Sequence, residues 1–352
     1  MDVALTYDLR QLYLEQGYSE EETAEFESAE TIKAISTALH ELGFTPIHVG
    51  NISQLVKRLA SGERWDFVFS IAEGMHGFGR EAQVPCVLDA FQIPYTFSDP
   101  LALTVTLHKA TAKRLLRDLG IPTPDFEVIE TSADWAEIEL EYPLFVKPIA
   151  EGTSKGITSA SRVCTPYELE NVCDLLLEKF RQAVLVEEFL PGREFTIGIA
   201  GTGANARVLG VMEILLGPEA ESLVYSYVNK AKYEELVRYR LVRDETAIEA
   251  ADIALAAWRA LGCCDAGRID LRCDRLGKVQ LLEVNALPGL HPIRSDLCIL
   301  CKLAGIPYLG LIDNIMCSAI ERSQSARGAP QPAYMRSKHD SGGWDPCIRR
   351  NA

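Results

Sequence analysis

An N-terminal α/β unit with a parallel sheet, followed by an α+β region built from hairpins and helices, is the fold class this sequence predicts. Three observations carry the prediction. Short apolar strands alternate with helical stretches through roughly the first hundred residues. Gly120-Ile121-Pro122-Thr123-Pro124 marks a boundary with its prolines and glycine. From Phe126 onward strands are separated by turns.

The elements follow in order. Val3 to Tyr7 reads as a strand, and the Glu-rich stretch from Glu15 to Glu30 as a solvated loop and helix start. Ile32, Ile35, Leu39 and Leu42 recur at helical spacing until Gly43 stops them. Thr45 to Val49 is a second strand, Ile52 to Leu59 a second helix and Asp66 to Ile71 a third strand. Strands that alternate with helices imply a parallel sheet covered on its faces. Pro94 to Pro100 closes the unit, and a helix runs from about Leu107 to Leu119. Phe126 to Ile129, Leu144 to Lys147 and Ala183 to Glu187 are strands. Gly201 to Asn205 suits a hairpin turn between Phe195 to Ala200 and Ala206 to Leu215. A helix recurs around residues 245 to 261, then a hairpin pairs Ile269 to Cys273 with Val279 to Val284. From Ser323 to Ala352 the chain is rich in Ser, Gly, Pro and Arg with no apolar period, and a mobile tail is expected. No internal repeat is visible.

Composition narrows the function. The 352 residues carry 35 Lys and Arg against 50 Asp and Glu, a formal charge of −15 that argues against nucleic-acid or anionic-membrane partners. No stretch reaches the roughly 18 apolar residues of a spanning helix, and Met1 to Asp8 lacks the form of a signal peptide. Ten cysteines fall short of a disulfide scaffold, so reduced thiols in a cytoplasm are expected.

Three segments carry chemistry. In Gly267 to Asn285, period-two alternation puts Arg268, Asp270 and Arg272 on one face of a strand, and Glu283 and Asn285 on one face of the next. A tight turn near Leu276-Gly277 permits Asp270 to lie opposite Glu283. Two carboxylates across a ladder repel, and a cation between them reverses that sign. Asp270, Glu283 and Asn285 offer oxygen donors only, which suits Mg²⁺. The bland alternative is a surface hairpin with solvated charges; Asn285-Ala286-Leu287-Pro288-Gly289, a strand end entering a loop, weighs against it. In the second segment an apolar strand ends at Lys147, and a loop follows with Gly152, Thr153, Ser154, Lys155 and Gly156, residues able to approach an anion through backbone N–H groups. A flexible hairpin tip is its bland reading. A polyphosphate bound to an acidic chain needs local cations, for which Lys147, Lys155, Lys109 and Lys232 are candidates. In the third, Val184 to Phe195, a buried strand turns through Pro191-Gly192; its edge could meet a purine and Glu194 a ribose.

In this order the segments resemble the ATP-grasp superfamily, and within it the D-alanine–D-alanine ligases, over about residues 66 to 320. Met75-His76-Gly77-Phe78-Gly79-Arg80-Glu81 looks like that family's His-Gly segment, and Ile93-Pro94-Tyr95-Thr96 matches its strand end. The resemblance implies an N-terminal (preATP-grasp) α/β substrate-side domain over 1–105, a central ATP-grasp subdomain over 106–196, a C-terminal ATP-grasp subdomain with the metal site over 197–322 and the tail over 323–352. It implies an ATP-dependent carboxylate–amine ligase that forms an amide through an acyl phosphate, with ATP and two Mg²⁺ ions as cofactors, Mn²⁺ being able to substitute. Lys109 and Lys147 would meet the ATP phosphates, Lys147 also standing near the adenine, and Thr153 and Ser154 would lie in the covering loop. Glu187, Phe189 and Leu190 would form the adenine edge, and Glu194 the ribose contact. Asp270, Glu283 and Asn285 would hold the metal. Lys232 and Tyr233 are similar to the family's mobile loop, and Arg268 with the Gly289 N–H would stabilise an oxyanion. His76 is a substrate-side candidate.

The family's first strand ends in a Gly-Gly-Ser loop with a Glu for the first substrate's amine; Thr6 to Arg10 read differently here. Where the family has a Ser-Leu pair after Pro-Gly, this chain has Leu290 to Leu297, so Arg294 or Ser295 is expected to take the second substrate's carboxylate. These changes favour a divergent amide-forming ligase over housekeeping D-alanyl-D-alanine synthesis. The substrates would be small amino-acid-like carboxylates and amines, and a homodimer is compatible with the sequence. Gly77 to Ala82 also fits a dinucleotide fingerprint with Asp99 beyond it, which would make the chain a nicotinamide-dependent oxidoreductase, but it follows the third strand and leaves the Asp270, Glu283 and Asn285 group without a role. An ATP-binding protein without ligase activity is the other alternative. Cys298 and Cys301, a lone C-x-x-C, are expected to be packed thiols rather than a zinc site.

Overall fold

The computed structural model describes residues 1–217 and 236–327. Its first sheet is built from β1 (Asp2–Tyr7), β2 (Thr45–Gly50) and β3 (Phe67–Ile71), parallel and in the order β2-β1-β3. Helices Ala29–Glu41 and Ile52–Ala60 supply the crossovers. Their starts are set by side chains: Ser28 accepts the Thr31 N–H at 3.2 Å, and Asn51 and Gln54 form a capping box. Ile32, Ile35 and Leu39 are buried as the spacing predicts.

The Glu-rich stretch departs from expectation. A short helix, Arg10–Glu15, leads into it, and within it Glu25 turns inward with its side chain only 8% exposed. Arg80, Lys155 and the Gly152 N–H gather round that carboxylate, so burial is compensated by partners distant in sequence.

After helices Gln83–Ala90, Pro100–Leu107 and Lys109–Asp118, a second sheet runs antiparallel in the order β4-β7-β5-β6: β4 Phe126–Ile129, β5 Leu144–Pro148, β6 Arg162–Val163 and β7 Val184–Glu188. The helix expected from about Leu107 to Leu119 is Lys109–Asp118, capped by His108, whose ring Nδ1 accepts the Thr111 N–H at 3.3 Å; Pro100–Leu107 is a further helix that the sequence pattern did not separate out. Helix Pro166–Phe180 covers the sheet with Leu169, Cys173 and Leu176.

The third sheet is antiparallel, β10-β9-β8-β11-β12, with β8 Glu194–Ala200, β9 Arg207–Leu216, β10 Val237–Leu241, β11 Ala266–Cys273 and β12 Val279–Asn285. Helix Glu245–Ala260 packs on one face through Ala250, Ala254, Ala257 and the fully buried Trp258. Helices Asp296–Leu303 and Tyr308–Arg327 pack on the other, joining the core beneath β1 and β3. Cys298 and Cys301 are buried there as free thiols. The last helix carries the start of the expected tail, residues 323–327, into regular structure; residues 328–352 lie outside the described residues. Among the described residues no single helix is long and apolar enough to cross a membrane.

Candidate active site

The second and third sheets face each other across a cleft of about 740 Å³, partly open to solvent. Phe145, Lys147, Ser154 and Glu187 line it from one side, and Glu194, Thr196, Arg268, Asp270, Arg272 and Glu283 from the other. Phe189 and Leu190, on the connection between the sheets, complete its wall.

The hairpin of β11 and β12 pairs Asp270 with Glu283 and Arg268 with Asn285, the expected partners, but reaches them through a β-bulge between Asp270 and Leu271, beyond which Leu271 pairs with Leu281. Asp270 accepts from Thr196 Oγ1 at 2.8 Å and Asn285 Nδ2 at 3.1 Å, and is ion-paired with Arg268. Burial pushes its carboxyl pKa up and Glu283 adds to the rise, against the pull of Arg268. Glu283 faces Lys109 Nζ at 3.3 Å. Among the described residues no three His, Cys, Asp or Glu side chains cluster as a complete metal cage. Two facing carboxylates and one amide, all oxygen donors, fit Mg²⁺, which takes few protein ligands and shares the rest with phosphate and water.

Lys109 stands on the helix after His108 and also donates to the Glu151 carbonyl at 2.6 Å, tying the start of the glycine loop to β12. Thr153 and Ser154 both adopt left-handed backbone, φ 50° and 57°, an uncommon state for residues with a Cβ that marks a constrained turn. Lys155 does not face the cleft as a free cation. It pairs with Glu25 at 3.0 Å and with Glu151.

The adenine-edge candidates divide. Phe189 stacks between Arg162 and Arg272, at 5.1 and 5.4 Å, and lies beside Phe145 with ring centroids 6.5 Å apart. Glu187 is buried and ion-paired twice, to Lys147 at 2.6 Å and to Lys113 at 3.0 Å. Burial opposes its ionisation, but the two lysines outweigh it and hold the carboxyl below its ordinary value. Glu194 pairs with Arg272 at 3.3 Å, and burial raises its pKa.

Gly289 sits against Ser295, whose Oγ would be 2.9 Å from a Cβ at that glycine. The Ser295 hydroxyl accepts the His291 N–H at 2.9 Å, and the His291 ring accepts the Ile293 and Arg294 N–H groups at 3.2 and 3.3 Å. That turn aims Arg294 outward: its side chain is 68% exposed and nearest to Glu30 at 3.8 Å. His76 is exposed and does not line the cleft; its carbonyl accepts from Gln83. Lys232 and Tyr233 lie outside the described residues. The Gly77–Ala82 segment forms turns ahead of helix Gln83–Ala90, away from the residues that line the cleft.

Sequence reasoning missed Lys113, Glu25, Arg80 and Arg162. A signal existed for Lys113, which follows Lys109 by one helical turn and therefore shares its face.

A family model described as the D-ala D-ala ligase C-terminus matches residues 115–317. A D-alanine--D-alanine ligase of Aquifex aeolicus is 33% identical over 292 residues, 82% of this chain and 94% of that protein. The crystal structure of D-alanine--D-alanine ligase from Bacillus anthracis complexed with ATP shares the fold, with a TM-score of 0.69 at 20% identity, over 93% of this chain and 99% of that one. The VanG D-Ala:D-Ser ligase from Enterococcus faecalis gives a TM-score of 0.68 at 20% identity, over 91% of this chain and 99% of that one.

Proposed function

The chain belongs to the D-alanine–D-alanine ligase family of ATP-grasp enzymes and is an ATP-dependent carbon–nitrogen ligase; from that premise we propose that it joins two small amino acids through an acyl phosphate. One observation carries the reading: the Asp270–Glu283 pair, with Lys109 and Lys147 close by, lies where the glycine loop meets the cleft. The similar proteins, a D-alanine--D-alanine ligase and a D-Ala:D-Ser ligase, support amino-acid substrates with a variable acceptor.

In this reading ATP lies in the cleft, its base beside Phe189 and Leu190. Lys147 and Lys109 neutralise the phosphates, and the loop at Thr153 and Ser154 covers them. Asp270, Glu283 and Asn285 would hold Mg²⁺, which when bound would neutralise charge on the transferring phosphoryl group. The donor's carboxylate oxygen attacks the γ-phosphorus and ADP leaves; the acceptor's amine then attacks the acyl carbon and phosphate leaves. Arg268 and the Gly289 N–H stabilise the negative oxygen of that tetrahedral centre. Glu25, brought to the glycine loop by Lys155 and Gly152, supplies the carboxylate for the donor's ammonium that the Thr6–Arg10 loop lacks. Ser295, seated against Gly289, suits the acceptor's carboxylate better than the outward Arg294. The nine described cysteines are free thiols, in keeping with a cytoplasmic protein.

The test is a panel of D- and L-amino acids with Mg-ATP, scored for ADP release and, with hydroxylamine present, for hydroxamate. ADP and a hydroxamate from one donor support the reading. AMP as product, or ADP without a trappable acyl species, would contradict it.

A further inference from the structure

The cleft's own lining leaves unexplained why a second lysine, with no face on the cleft, is buried behind it. Lys113 is only 1% exposed and bridges three elements. From helix Lys109–Asp118 its Nζ reaches the Leu281 carbonyl of β12 at 3.2 Å and Glu187 Oε2 of β7 at 3.0 Å. It is absent from the residues that line the cleft, whereas Glu187 is among them. Burying an ammonium is expensive, and burial lowers the Lys113 pKa to about 8 despite the neighbouring carboxylate. A merely structural position of this kind is usually as well filled by an apolar side chain.

The chemistry of Glu187 offers a reason. Its Oε1 is bound by Lys147 at 2.6 Å. Its Oε2 is buried, makes no directed hydrogen bond among the described residues, and has Lys113 facing it. With one lysine on each oxygen the carboxylate stays ionised in a dry site. An ionised carboxylate only accepts hydrogen bonds, whereas a protonated one also donates. An acceptor-only group in the wall of a purine site distinguishes a base bearing a 6-amino donor from one bearing a 6-oxo acceptor.

We propose that Lys113 is a positioning residue for nucleotide selectivity: by holding Glu187 ionised and fixed between β7 and β12, it makes the cleft prefer a 6-aminopurine over a 6-oxopurine triphosphate. Lys113 touches no ligand and acts through Glu187. The proposal rests on the reading that ATP occupies this cleft.

The experiment is equilibrium titration of the full chain with ATP and with ITP, by calorimetry with Mg²⁺ present and amino acids absent, for wild type, Lys113→Met, Glu187→Gln and the double variant. Lys113→Met is expected to weaken ATP about tenfold, the loss associated with one hydrogen bond to a charged group, while ITP changes less than about twofold on the same scale. In the Glu187→Gln background, Lys113→Met is expected to leave the ATP-to-ITP ratio where Glu187→Gln alone puts it, since the carboxylate it acts on is gone. Lys113→Met leaves Glu187 paired with Lys147 at 2.6 Å, so the single variant carries no unpaired buried charge and the ratio can be read there; thermal melts of the Glu187→Gln proteins, in which Lys147 loses that carboxylate, check that they too are folded. Equal losses for ATP and ITP in Lys113→Met, or a further fall of the ratio in the double variant, would overturn the proposal. Wild type that binds neither nucleotide would overturn the cleft reading itself, a result distinct from either.

Discussion

Asp270 and Glu283 face each other across the β11–β12 ladder, and each meets a cation of the chain, Arg268 for the first and Lys109 at 3.3 Å for the second. Like charges directly opposite destabilise a sheet, a cost that Arg268 and Lys109 offset and that the proposed Mg²⁺ would offset further. Asp270→Asn and Glu283→Gln are each expected to lower the rate of ADP release by about 10²–10³-fold, the scale of losing one preorganised electrostatic contact at a reacting centre. Neither is expected to lower the melting temperature. Kinetics at saturating ATP, paired with thermal melts, check both statements.

Arg268 lies between Asp270 and Asp296, the latter at 3.7 Å, and is half-buried. Arg268→Lys keeps the charge and loses the planar fork. Its turnover is expected to fall by about 10²-fold, with the Michaelis constant for ATP unchanged. Hydroxamate formation is expected to persist, because donor activation precedes the step that the proposed mechanism gives to Arg268.

The turn at His291 separates two candidates that lie side by side in sequence. Ser295→Ala is expected to raise the acceptor's Michaelis constant about tenfold through loss of one hydrogen bond to a carboxylate. Arg294→Ala, removing an outward side chain near Glu30, is expected to leave it unchanged. Steady-state kinetics against varied acceptor decide, and the reverse pattern would move the acceptor's carboxylate to Arg294.

Burial raises the Glu81 carboxyl to about 8, and burial likewise raises Glu73 beside it. An unfolded glutamate titrates near 4.3, so between about 4.3 and 8 the folded protein binds more protons than the unfolded chain. Stability conferred by the protonated form is therefore complete below about 4.3 and is lost as pH rises through about 8. Urea midpoints are expected to fall between pH 6 and pH 9 in wild type, and to fall less in Glu81→Gln. An identical slope in the two proteins would remove Glu81 as the cause.

Gly267, on β11, has the Asn285 carbonyl and the Trp258 ring 2.5 Å from where a Cβ would stand. Gly267→Ala is expected to destabilise the fold by about 1–3 kcal/mol through overpacking, measured by urea unfolding.

The strands were legible because their side-chain period is short and their turns are marked by glycine. The Asp270–Glu283 pairing was legible only in part: the turn sets Leu271 opposite Leu281, which would leave Leu282 opposite Asp270, and a β-bulge between Asp270 and Leu271 brings Glu283 there instead. Charged residues that fold inward were not legible. Glu25 reads as part of a solvated acidic run, and its burial depends on Lys155, 130 residues away, and on Arg80. No local pattern carries such a partner. Lys113 had a local signal in its spacing from Lys109, but its burial follows from Glu187 and Leu281, which only the packed sheets bring near. Arg294 is attractive in the sequence for its bidentate chemistry, whereas the structure shows it turned to solvent beside a His291 ring that accepts two backbone N–H groups.

Asp270 and Glu283 are proposed to form one metal site with the nucleotide. The most direct test of that proposal is the electron paramagnetic resonance of Mn²⁺ titrated with ADP into wild type and Asp270→Asn. Nucleotide-dependent Mn²⁺ binding in wild type, weakened at least tenfold in the variant on the scale of one lost charged contact, is the predicted result. Equal Mn²⁺ binding by both proteins would contradict it.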